Sequence, residues 1–522
     1  MSLFTAQVRP DEGLGFLVLG ATLHDILTRL KAEPQSFPKL ELTYESTAPV
    51  TEPVVLHLPS NGLRLRFDGP EQRLRLIEVL DFTKSHLTYK DRDILRPIST
   101  TQSDSSAVIH PSGPTYKHIS RVVGLAYPGE YIEPNSGDES GIGLYVLSYP
   151  GLAFSFPLKS SAWSPSKIES LFASTNSPPA SSMAIFRGKS WPEAREHLFT
   201  EAIDPTDTFV TLFKKKETVP TDIRLVRIHG AGEVELVRSG TYTPLWLQMG
   251  QTTPQELVAE LGPPDAIYRK NDRRMSIHKV RRGTNNRARP DLTDLRLQDD
   301  STDTDQSSAH TATDDSDDDT EESEVAGNLS GECFYNYFYH GFDILISAPS
   351  SHSQYPPSKK ATNPESEPII IAPGDAPSRL VASKIILHGN IPGSYPFNRH
   401  RRCRWEIQYL PLQKGQDVVD SETPFKSIEA RLHEEWKSIY QNEEEAKARQ
   451  RGMVLNRDWG DSPGSSCELL GGWEDSLGGK RPDAVGGTTE DIRGMGSTTL
   501  FGFPGLVFEV LANGVVSGVT VF

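Results

Sequence analysis

Apolar and polar residues alternate in short runs along the chain, and four of these runs begin with a glycine. Alternation with a period of two is typical of a β-strand with one buried face, because successive side chains point to opposite sides of the strand. The runs cover residues 62–67, 151–156, 341–346 and 505–510, and they start at Gly62, Gly151, Gly341 and Gly505. We therefore predict four related strands, each started by a structural glycine.

A second strand-like run follows three of the four, at residues 74–79, 380–387 and 515–521. Turn-forming residues separate the members of the first pair, Asp-Gly-Pro at 68–70, and of the last pair, Asn-Gly at 513–514. Turn residues between two alternating runs indicate a hairpin. Each pair is therefore predicted to form an antiparallel β-hairpin.

Helical spacing of apolar residues replaces this alternation at residues 20–30, 250–261 and 423–432. In the second segment Thr253 can cap the helix, Pro254 suits its first turn and Glu256 completes a capping box. The first two segments lie upstream of predicted strands. The repeated order is therefore a short helix followed by antiparallel strands.

These patterns predict an α+β, β-rich fold built from repeated units of a short helix packed on antiparallel β-strands, with long disordered insertions. We place the units at residues 1–95 (first helix and hairpin), 96–246 (second, β-rich), 247–409 (third helix and strands) and 410–522 (fourth helix and strands). The alternative is a chance recurrence of strand-like runs in a long chain. Four such runs favour the repeat.

Three segments have the composition of insertions, at about residues 279–328, 347–378 and 456–496. The first dominates the net charge of −16, because 14 acidic residues and one basic residue lie between Asp291 and Glu324. A run of that charge density repels itself and buries little apolar surface. The net charge therefore describes a solvated loop and says little about the folded surface.

Cysteine usage and hydropathy indicate the cellular compartment of the protein. Cys333, Cys403 and Cys467 are widely spaced and odd in number, which favours a reducing environment over a disulfide framework. The apolar run at residues 13–20 is too short to span a bilayer and follows acidic residues, unlike a secretory signal. We therefore expect a cytoplasmic protein.

The sequence lacks a phosphate-binding P-loop, a dinucleotide glycine fingerprint, a zinc-protease helix and a paired-cysteine motif. His388, His400 and Cys403 lie near one another and suggest a metal site, but their spacing is irregular for zinc ligands. We therefore expect no enzyme activity, no catalytic residues, no cofactor and no metal. Cys403 is expected to be a buried thiol at a strand edge.

One cluster of positive charge comprises Arg399, Arg401, Arg402 and Arg404. Guanidinium groups match phosphate oxygens, so an anionic lipid headgroup is the candidate ligand of this cluster. The alternative, which the pattern favours, is that these arginines alternate out of a strand into solvent or pair with the acidic insertion.

A second basic cluster, at residues 269–289, precedes the acidic tract. Density of positive charge is enough to attract nucleic acid or to act as a nuclear import signal. The adjoining acidic stretch supplies competing counter-charge. We therefore interpret the two stretches as a self-screening loop and expect no nucleic-acid partner.

Ordered blocks along the chain resemble one known family. They are residues 62–79 with Gly-Leu-Arg-Leu-Arg-Phe-Asp, 124–156 with Gly-Leu-Ala-Tyr-Pro-Gly, 335–403 with Ile-Leu-His-Gly-Asn-Ile-Pro-Gly, and 501–510 with Phe-Gly-Phe-Pro-Gly-Leu-Val-Phe-Glu-Val. In this order they are similar to the phagosome assembly factor family. The resemblance runs nearly end to end, and the chain looks like a fungal-type member with a long acidic insertion.

The resemblance implies a non-enzymatic adaptor that acts in autophagy at the phagophore assembly site. It also implies a WD40-type β-propeller partner and a peripheral association with phosphoinositide membranes, made directly or only through the partner. It carries over no catalytic or binding residue. The alternative function is a membrane-trafficking scaffold at the Golgi or endosome without a direct part in autophagy.

Overall fold

A computed structural model describes residues 3–95, 112–124, 126, 129–134, 141–164, 178–200, 222–240, 243–269, 332–349, 380–411, 417–456 and 497–522. The predicted insertions at 279–328, 347–378 and 456–496 lie almost entirely outside the described residues. The described chain forms two halves, residues 4–197 and 222–522, each with one small and one large β-sheet.

The first half contains the following elements in chain order: β1 (Phe4–Arg9), β2 (Gly13–Leu14), β3 (Leu17–Val18), α1 (Leu23–Ala32), β4 (Glu41–Thr43), β5 (Val54–Leu58), β6 (Leu63–Phe67), β7 (Leu74–Val79), β8 (Ser85–Tyr89), β9 (Arg92–Asp93), α2 (Tyr116–Val122), β10 (Glu130–Ile132), β11 (Ile142–Tyr149), β12 (Leu152–Lys159), β13 (Ser182–Ile185) and α3 (Trp191–His197). A 3₁₀ turn at Ser160–Ala162 follows β12.

The second half contains the following elements in chain order: β14 (Ile223–Gly230), β15 (Glu233–Arg238), β16 (Leu245–Gln248), α4 (Pro254–Leu261), β17 (Ala266–Arg269), β18 (Cys333–Tyr337), β19 (Phe342–Ser347), β20 (Val381–His388), β21 (Trp405–Ile407), β22 (Val419–Asp420), α5 (Phe425–Trp436), α6 (Glu443–Arg449), β23 (Met453–Asn456), β24 (Ser497–Phe503), β25 (Leu506–Leu511) and β26 (Val516–Val521). A 3₁₀ turn at Lys437–Ile439 follows α5.

The two halves have the same strand order. The small sheets run β3-β2-β1-β8-β9 and β16-β15-β14-β21-β22, and the large sheets run β10-β11-β12-β13-β7-β6-β5-β4 and, read from the other edge, β23-β24-β25-β26-β20-β19-β18-β17. Strands β14–β26 therefore repeat β1–β13, and α4 and α5 repeat α1 and α2. Each large sheet joins two four-strand meanders through an antiparallel pair, β7 with β13 and β20 with β26. The described residues thus form four helix-plus-meander motifs, which confirms the predicted fold class.

Each of the four predicted segments contains one meander and at least one helix. The segment at 96–246 also contains β14 and β15, which belong to the small sheet of the second half. The small sheets were not predicted, and each of them includes a parallel pair, β1 with β8 and β14 with β21. Parallel pairing joins strands that are distant in sequence, so no hairpin signal marks it.

The four strand-start glycines occupy one equivalent position, immediately before the third strand of each meander: β6, β12, β19 and β25. Their φ angles are +67°, +70°, +83° and +75°, a conformation that glycine adopts without a steric penalty. In each motif the glycine carbonyl accepts a hydrogen bond from the end of the fourth strand. The donors are the N–H groups of Leu80, Phe186, His388 and Phe522, at 2.7, 3.2, 2.9 and 3.1 Å.

Helices α1 and α4 are capped by equivalent threonines, Thr22 and Thr253. Thr22 Oγ1 accepts a hydrogen bond from the N–H of Asp25 at 3.2 Å, and Thr253 Oγ1 accepts one from Glu256 at 3.3 Å. The Glu256 carboxylate accepts in turn from the N–H of Thr253 at 2.7 Å, which completes the predicted capping box. Asp25 and Glu256 therefore occupy the same position, three residues after the cap.

Each half has its own hydrophobic core between its two sheets and its helices. The core of the first half includes Phe67 and Phe154, and that of the second half includes Phe342 and Trp405, all fully buried or nearly so. Among the described residues, every helix is too short or too polar to cross a bilayer.

Candidate functional site

The connection between β20 and β21, residues 389–404, belongs to the second half and contacts the first half. We call it the junction loop. The equivalent connection in the first half, between β7 and β8, covers only residues 80–84. Phe397 of the junction loop packs against the core of the first half. The loop also contains all four arginines of the predicted lipid cluster.

Arg401 forms the central ion pair of this junction. Its guanidinium donates to the two carboxylate oxygens of Asp25 at 2.8 and 2.6 Å, and to Asp222 at 3.3 Å. It also lies 5.2 Å from the ring centre of Tyr339. Burial raises the pKa of Asp25, but Arg401 and a hydrogen bond with His24 outweigh it and hold the pKa well below its usual range. The Asp25–Arg401 pair is therefore ionised at neutral pH.

Arg402 and Arg404 share one carboxylate, that of Glu422. The side chain of Arg402 is 1% exposed and donates to Glu422 at 3.0 Å and to the carbonyl oxygen of Pro70, in the first half, at 2.7 Å. Arg404 donates to both oxygens of Glu422, at 3.1 and 3.0 Å, and lies 3.5 Å from Glu71 of the first half. These two arginines therefore also join the halves.

Three of the four cluster arginines are thus paired with carboxylates in folded parts of the chain, whereas Arg399 is exposed. The acidic insertion, which was the expected alternative partner, lies outside the described residues. Binding of anionic lipid by this cluster stays a prediction. Arg399 is the member that can contact a headgroup without breaking one of these ion pairs.

The carboxylates of the junction were missed by sequence reasoning. Asp25 lies 376 positions from Arg401, Asp222 lies 179 positions from it, and Glu71 lies 333 positions from Arg404. No spacing rule connects residues so far apart. The one local signal is the acidic residue three positions after the Thr22 cap, which is common in helices for reasons unrelated to a partner.

His388 and His400 form a stacked pair on Asp343. Their ring centres are 3.8 Å apart with 16° between the planes. Their Nε2 atoms lie 2.9 and 2.8 Å from the two oxygens of the Asp343 carboxylate. The three side chains therefore place possible metal-ligand atoms within 4.8 Å of one another. Cys403, which the sequence grouped with the histidines, is not part of this cluster.

Hydrogen bonding accounts for this cluster without a metal ion. With both rings protonated at Nε2, each donates to one oxygen of Asp343, and Asn336 Nδ2 donates to the same carboxylate at 2.9 Å. A metal-bound imidazole normally donates its other N–H to an acceptor, but His400 Nδ1 is buried with no hydrogen-bond partner among the described residues. Burial and the neighbouring His388 lower the pKa of His400 to about 4. The geometry therefore favours two imidazole rings hydrogen-bonded to an ionised Asp343 carboxylate, whose pKa these hydrogen bonds hold well below its usual range against its burial.

Cys403 is buried two residues before β21, and its burial was expected from the sequence. Burial raises the pKa of its thiol to about 12, against the opposing charge of Arg402. A protonated thiol is a poor nucleophile. The junction groups are therefore arranged to fix two halves relative to each other, and their polar atoms are largely engaged with one another.

Two edge strands of the second large sheet expose apolar side chains. Ile267 and Tyr268 in β17 are 55% and 64% exposed, and Met453 and Val454 in β23 are 58% and 68% exposed. An edge strand offers backbone groups to which another chain can add. These edges are candidate docking surfaces. Of the second basic cluster, at 269–289, all but the backbone of Arg269 lies outside the described residues.

The fold and its junction define a class of protein: a tandem repeat of one β-rich unit, with the two copies locked together by buried ion pairs. The chain belongs to the phagosome assembly factor 1 family, whose family model matches residues 13–292 and 375–522. The match includes parts of both halves and the junction loop.

Curated relatives agree with this assignment. The chain is 21% identical to a PHAF1 protein of Arabidopsis thaliana, over 99% of this chain and 92% of the relative. It is 24% identical to one of Caenorhabditis elegans, over 78% of both chains, and 21% identical to one of Drosophila melanogaster, over 99% and 93%. No solved structure matches the chain significantly.

Proposed function

We propose that this chain is an adaptor in autophagy. It acts without catalysis at the phagophore assembly site, together with a WD40-type β-propeller partner and phosphoinositide-containing membranes. The observation that carries the proposal is the family match, which extends over most of the chain and into both halves. The name of that family refers to phagosome assembly, and an adaptor is the simplest role for a protein of that kind.

The geometry supports a docking role in two ways. The ionic side chains of the junction are engaged with one another, and the thiol of Cys403 is protonated by burial. The exposed apolar residues of β17 and β23, by contrast, lie on sheet edges where a partner can bind. A rigid two-part body with exposed edges suits an adaptor.

We further propose that contact with membranes is peripheral and runs mainly through the partner. Arg401, Arg402 and Arg404 are held by buried or half-buried carboxylates. Transferring these arginines to lipid phosphate would leave Asp25 and Glu422 as buried charges without partners, which is costly. Any direct contact with a lipid headgroup is therefore assigned to Arg399.

The partner is tested by affinity purification of the tagged full chain from fed and starved cells, followed by mass spectrometry and by microscopy. We expect recovery of a β-propeller protein and starvation-induced puncta at phagophores. Val454→Lys should weaken this recovery if the edge strand β23 is used, whereas Ile439→Lys, at another exposed apolar residue, should not. Absence of any propeller protein together with absence of puncta would overturn the proposal. Golgi or endosomal labelling that is the same in fed and starved cells would favour the alternative function, a membrane-trafficking scaffold.

Direct lipid binding is tested by co-sedimentation of the purified chain with vesicles that contain or lack phosphatidylinositol 3-phosphate. We expect weak, salt-sensitive binding that Arg399→Ser reduces. Arg451→Ser, at an exposed arginine elsewhere, is the matched control. Equal binding of the wild type and Arg399→Ser would show that this residue does not contact lipid.

A further inference from the structure

Four basic side chains lie together on the first half, where the β8–β9 hairpin meets helix α2. Lys90 and Arg92 belong to the hairpin, and Lys117 and Arg121 belong to the helix. The two helical residues are four positions apart and therefore share one face. All four residues are exposed, and no residue of the helix is acidic. We call these four residues the basic patch.

Hydrogen bonds hold the hairpin and the helix against each other. Arg92 Nη1 donates to the backbone carbonyl oxygen of Arg121 at 3.2 Å, and His118 Nε2 lies 2.8 Å from the carbonyl oxygen of Asp93. The first bond uses one N–H of the Arg92 guanidinium, and a guanidinium has five. The basic patch is therefore built on two elements that are bonded to each other, and Arg92 has donors left for a ligand.

The charge of the basic patch is not neutralised by carboxylates. None of its four side chains forms an ion pair within the part of the chain that the structure describes. The carboxylate of Asp93 is held by His86 Nε2 at 2.9 Å. The ammonium group of Lys90 lies 5.1 Å from the ring centre of Tyr89, which leaves its charge in place. The basic patch differs in this respect from the paired arginines of the junction loop.

The internal repeat shows that the fold does not require a basic residue on this face of the helix. Helix α5 repeats α2, and each helix buries the residue three positions after its first, Ile119 in α2 and Ile428 in α5. In this alignment Ala430 of α5 corresponds to Arg121. Alanine at the equivalent position satisfies the same packing, so the charge of Arg121 serves another purpose.

The turn of the hairpin supports the same conclusion. Its two residues, Lys90 and Asp91, have φ angles of +47° and +61°. A two-residue turn with positive φ at both positions favours asparagine, aspartate or glycine at the first of them, and a long side chain is uncommon there. Lys90 is therefore explained by the charge that it presents at the tip of the hairpin, and not by the geometry of the turn.

We propose that the basic patch binds an acidic segment of a partner protein. Carboxylates along that segment accept hydrogen bonds from the guanidinium groups of Arg92 and Arg121, whose planar forks match a carboxylate. The ammonium groups of Lys90 and Lys117 add charge on either side. This surface is separate from the edge strands β17 and β23, and the assignment does not rest on the docking role proposed for them.

Two observations favour a protein segment over a membrane surface as the ligand. No large apolar side chain is exposed at residues 84–95 or 112–123, so the described surroundings of the patch offer none to enter a bilayer. In addition, the exposed Asp91 lies between Lys90 and Arg92. On a flat anionic membrane this carboxylate would face lipid phosphates, whereas a narrow peptide can pass beside it.

The probe is a dye-labelled deca-glutamate peptide, titrated into the purified full chain at low salt and followed by fluorescence anisotropy. We expect saturable binding that weakens as salt is added, and no binding of a deca-glutamine peptide. Lys117→Glu combined with Arg121→Glu should weaken binding by about tenfold or more, because like charges then face each other. Both positions are exposed, and thermal melting shows whether the variant is folded.

Lys426→Glu combined with Ala430→Glu is the matched control, because these exposed residues occupy the equivalent positions of α5. It adds nearly the same negative charge and should bind the peptide as the wild type does. Failure of the wild type to bind deca-glutamate, or equal weakening in the two variants, would overturn the proposal.

Two further results would overturn the proposal by assigning the basic patch to another ligand. The first is loss of binding to phosphatidylserine vesicles in the Lys117→Glu, Arg121→Glu variant without loss of peptide binding, which would assign the patch to a membrane. The second is peptide binding that appears only after deletion of residues 291–324, which would assign the patch to the chain's own acidic stretch.

Discussion

Gln72 and Asn390 form a reciprocal amide pair across the junction of the two halves. Gln72 Nε2 donates to the backbone carbonyl of Asn390 at 2.8 Å, and Asn390 Nδ2 donates to Gln72 Oε1 at 2.8 Å. Both residues are buried and both have positive φ, at 51° and 49°. Buried polar groups require their partners, so this pair specifies one orientation of the two halves. The ion pairs of Arg401, Arg402 and Arg404 stabilise the same orientation.

The first prediction concerns the central ion pair of the junction. Asp25→Ala should lower the free energy of unfolding by about 3 kcal/mol or more, because it leaves the buried Arg401 with Asp222 alone. Urea denaturation followed by circular dichroism measures the change. Arg449→Ala is the control, since that side chain is 70% exposed in its pair with Glu445 and should contribute less than about 1 kcal/mol.

A double-mutant cycle separates the pair from its surroundings. Arg401→Met combined with Asp25→Ala should be less destabilising than the sum of the single changes, because no unpaired charge remains. Strict additivity of the two effects would contradict the central role of this ion pair.

The second prediction concerns the strand-start glycines. A Cβ at Gly62 would meet the carbonyl oxygen of Asp81 at 2.5 Å, and one at Gly341 would meet that of Arg401 at 2.5 Å. Gly62→Ala and Gly341→Ala should therefore each cost about 3 kcal/mol, from the backbone clash added to the left-handed conformation. Thermal denaturation of the two variants measures these losses of stability.

Gly505 supplies an internal comparison at the equivalent position, since its Cβ would meet only Phe522 O at 3.6 Å. Gly505→Ala should cost about 1 kcal/mol, from the positive φ alone. Gly514→Ala, with φ +79° and open space around it, should cost the same. A Gly505→Ala variant as unstable as Gly62→Ala would show that crowding is not what distinguishes these sites.

Much of the large sheets could be predicted from the sequence, because their information is local. Period-two alternation marked β6 and β25, a turn signal joined β6 to β7, and the Thr253 capping box marked α4. The small sheets could not be predicted in this way, since β1 and β14 pair in parallel with strands that are distant in sequence.

The duplication itself was visible only in part. Four glycine-led runs indicated four motifs, but the pairing of these motifs into two halves depends on the contacts of β7 with β13 and of β20 with β26. Both contacts join runs that are about a hundred or more residues apart. The same limit explains why the arginine cluster was noticed but its carboxylate partners were not.

The third prediction concerns pH. Burial and the charge of Arg401 lower the pKa of His340 to about 4, with Arg238 acting in the same direction and Asp222 and the Leu261 carbonyl opposing. In the unfolded chain the pKa is about 6.5. Between these values the unfolded state binds the proton and the folded state does not, so stability falls as the pH drops from about 6.5 to about 4. The loss amounts to about 3 kcal/mol for this residue.

His400, whose pKa is also lowered to about 4, should add a similar loss. Urea midpoints at pH 7, 6 and 5 measure how steeply stability depends on pH. His340→Gln should lower the number of protons taken up on unfolding by about one. The lowered pKa of Asp25 acts in a different window, because its stabilisation is lost only below about pH 4. Midpoints that do not change between pH 7 and 5 would contradict the placement of His340 and His400 as buried neutral rings.

The last prediction concerns the reactivity of Cys403. Its side chain is 4% exposed, and burial raises the pKa of the thiol to about 12, so both access and thiolate population are low in the folded chain. Iodoacetamide at pH 8 should therefore leave Cys403 unmodified in the native protein and modify it fully in urea, as measured by peptide mass spectrometry. Cys333, which is partly exposed in β18, is the internal control and should react faster. Because Cys403 follows Arg402 directly, its protection also reports on the junction. In the Asp25→Ala variant, modification of Cys403 at urea concentrations below the main unfolding transition would show that the halves separate before their cores unfold, whereas protection up to that transition would show that junction and cores unfold together.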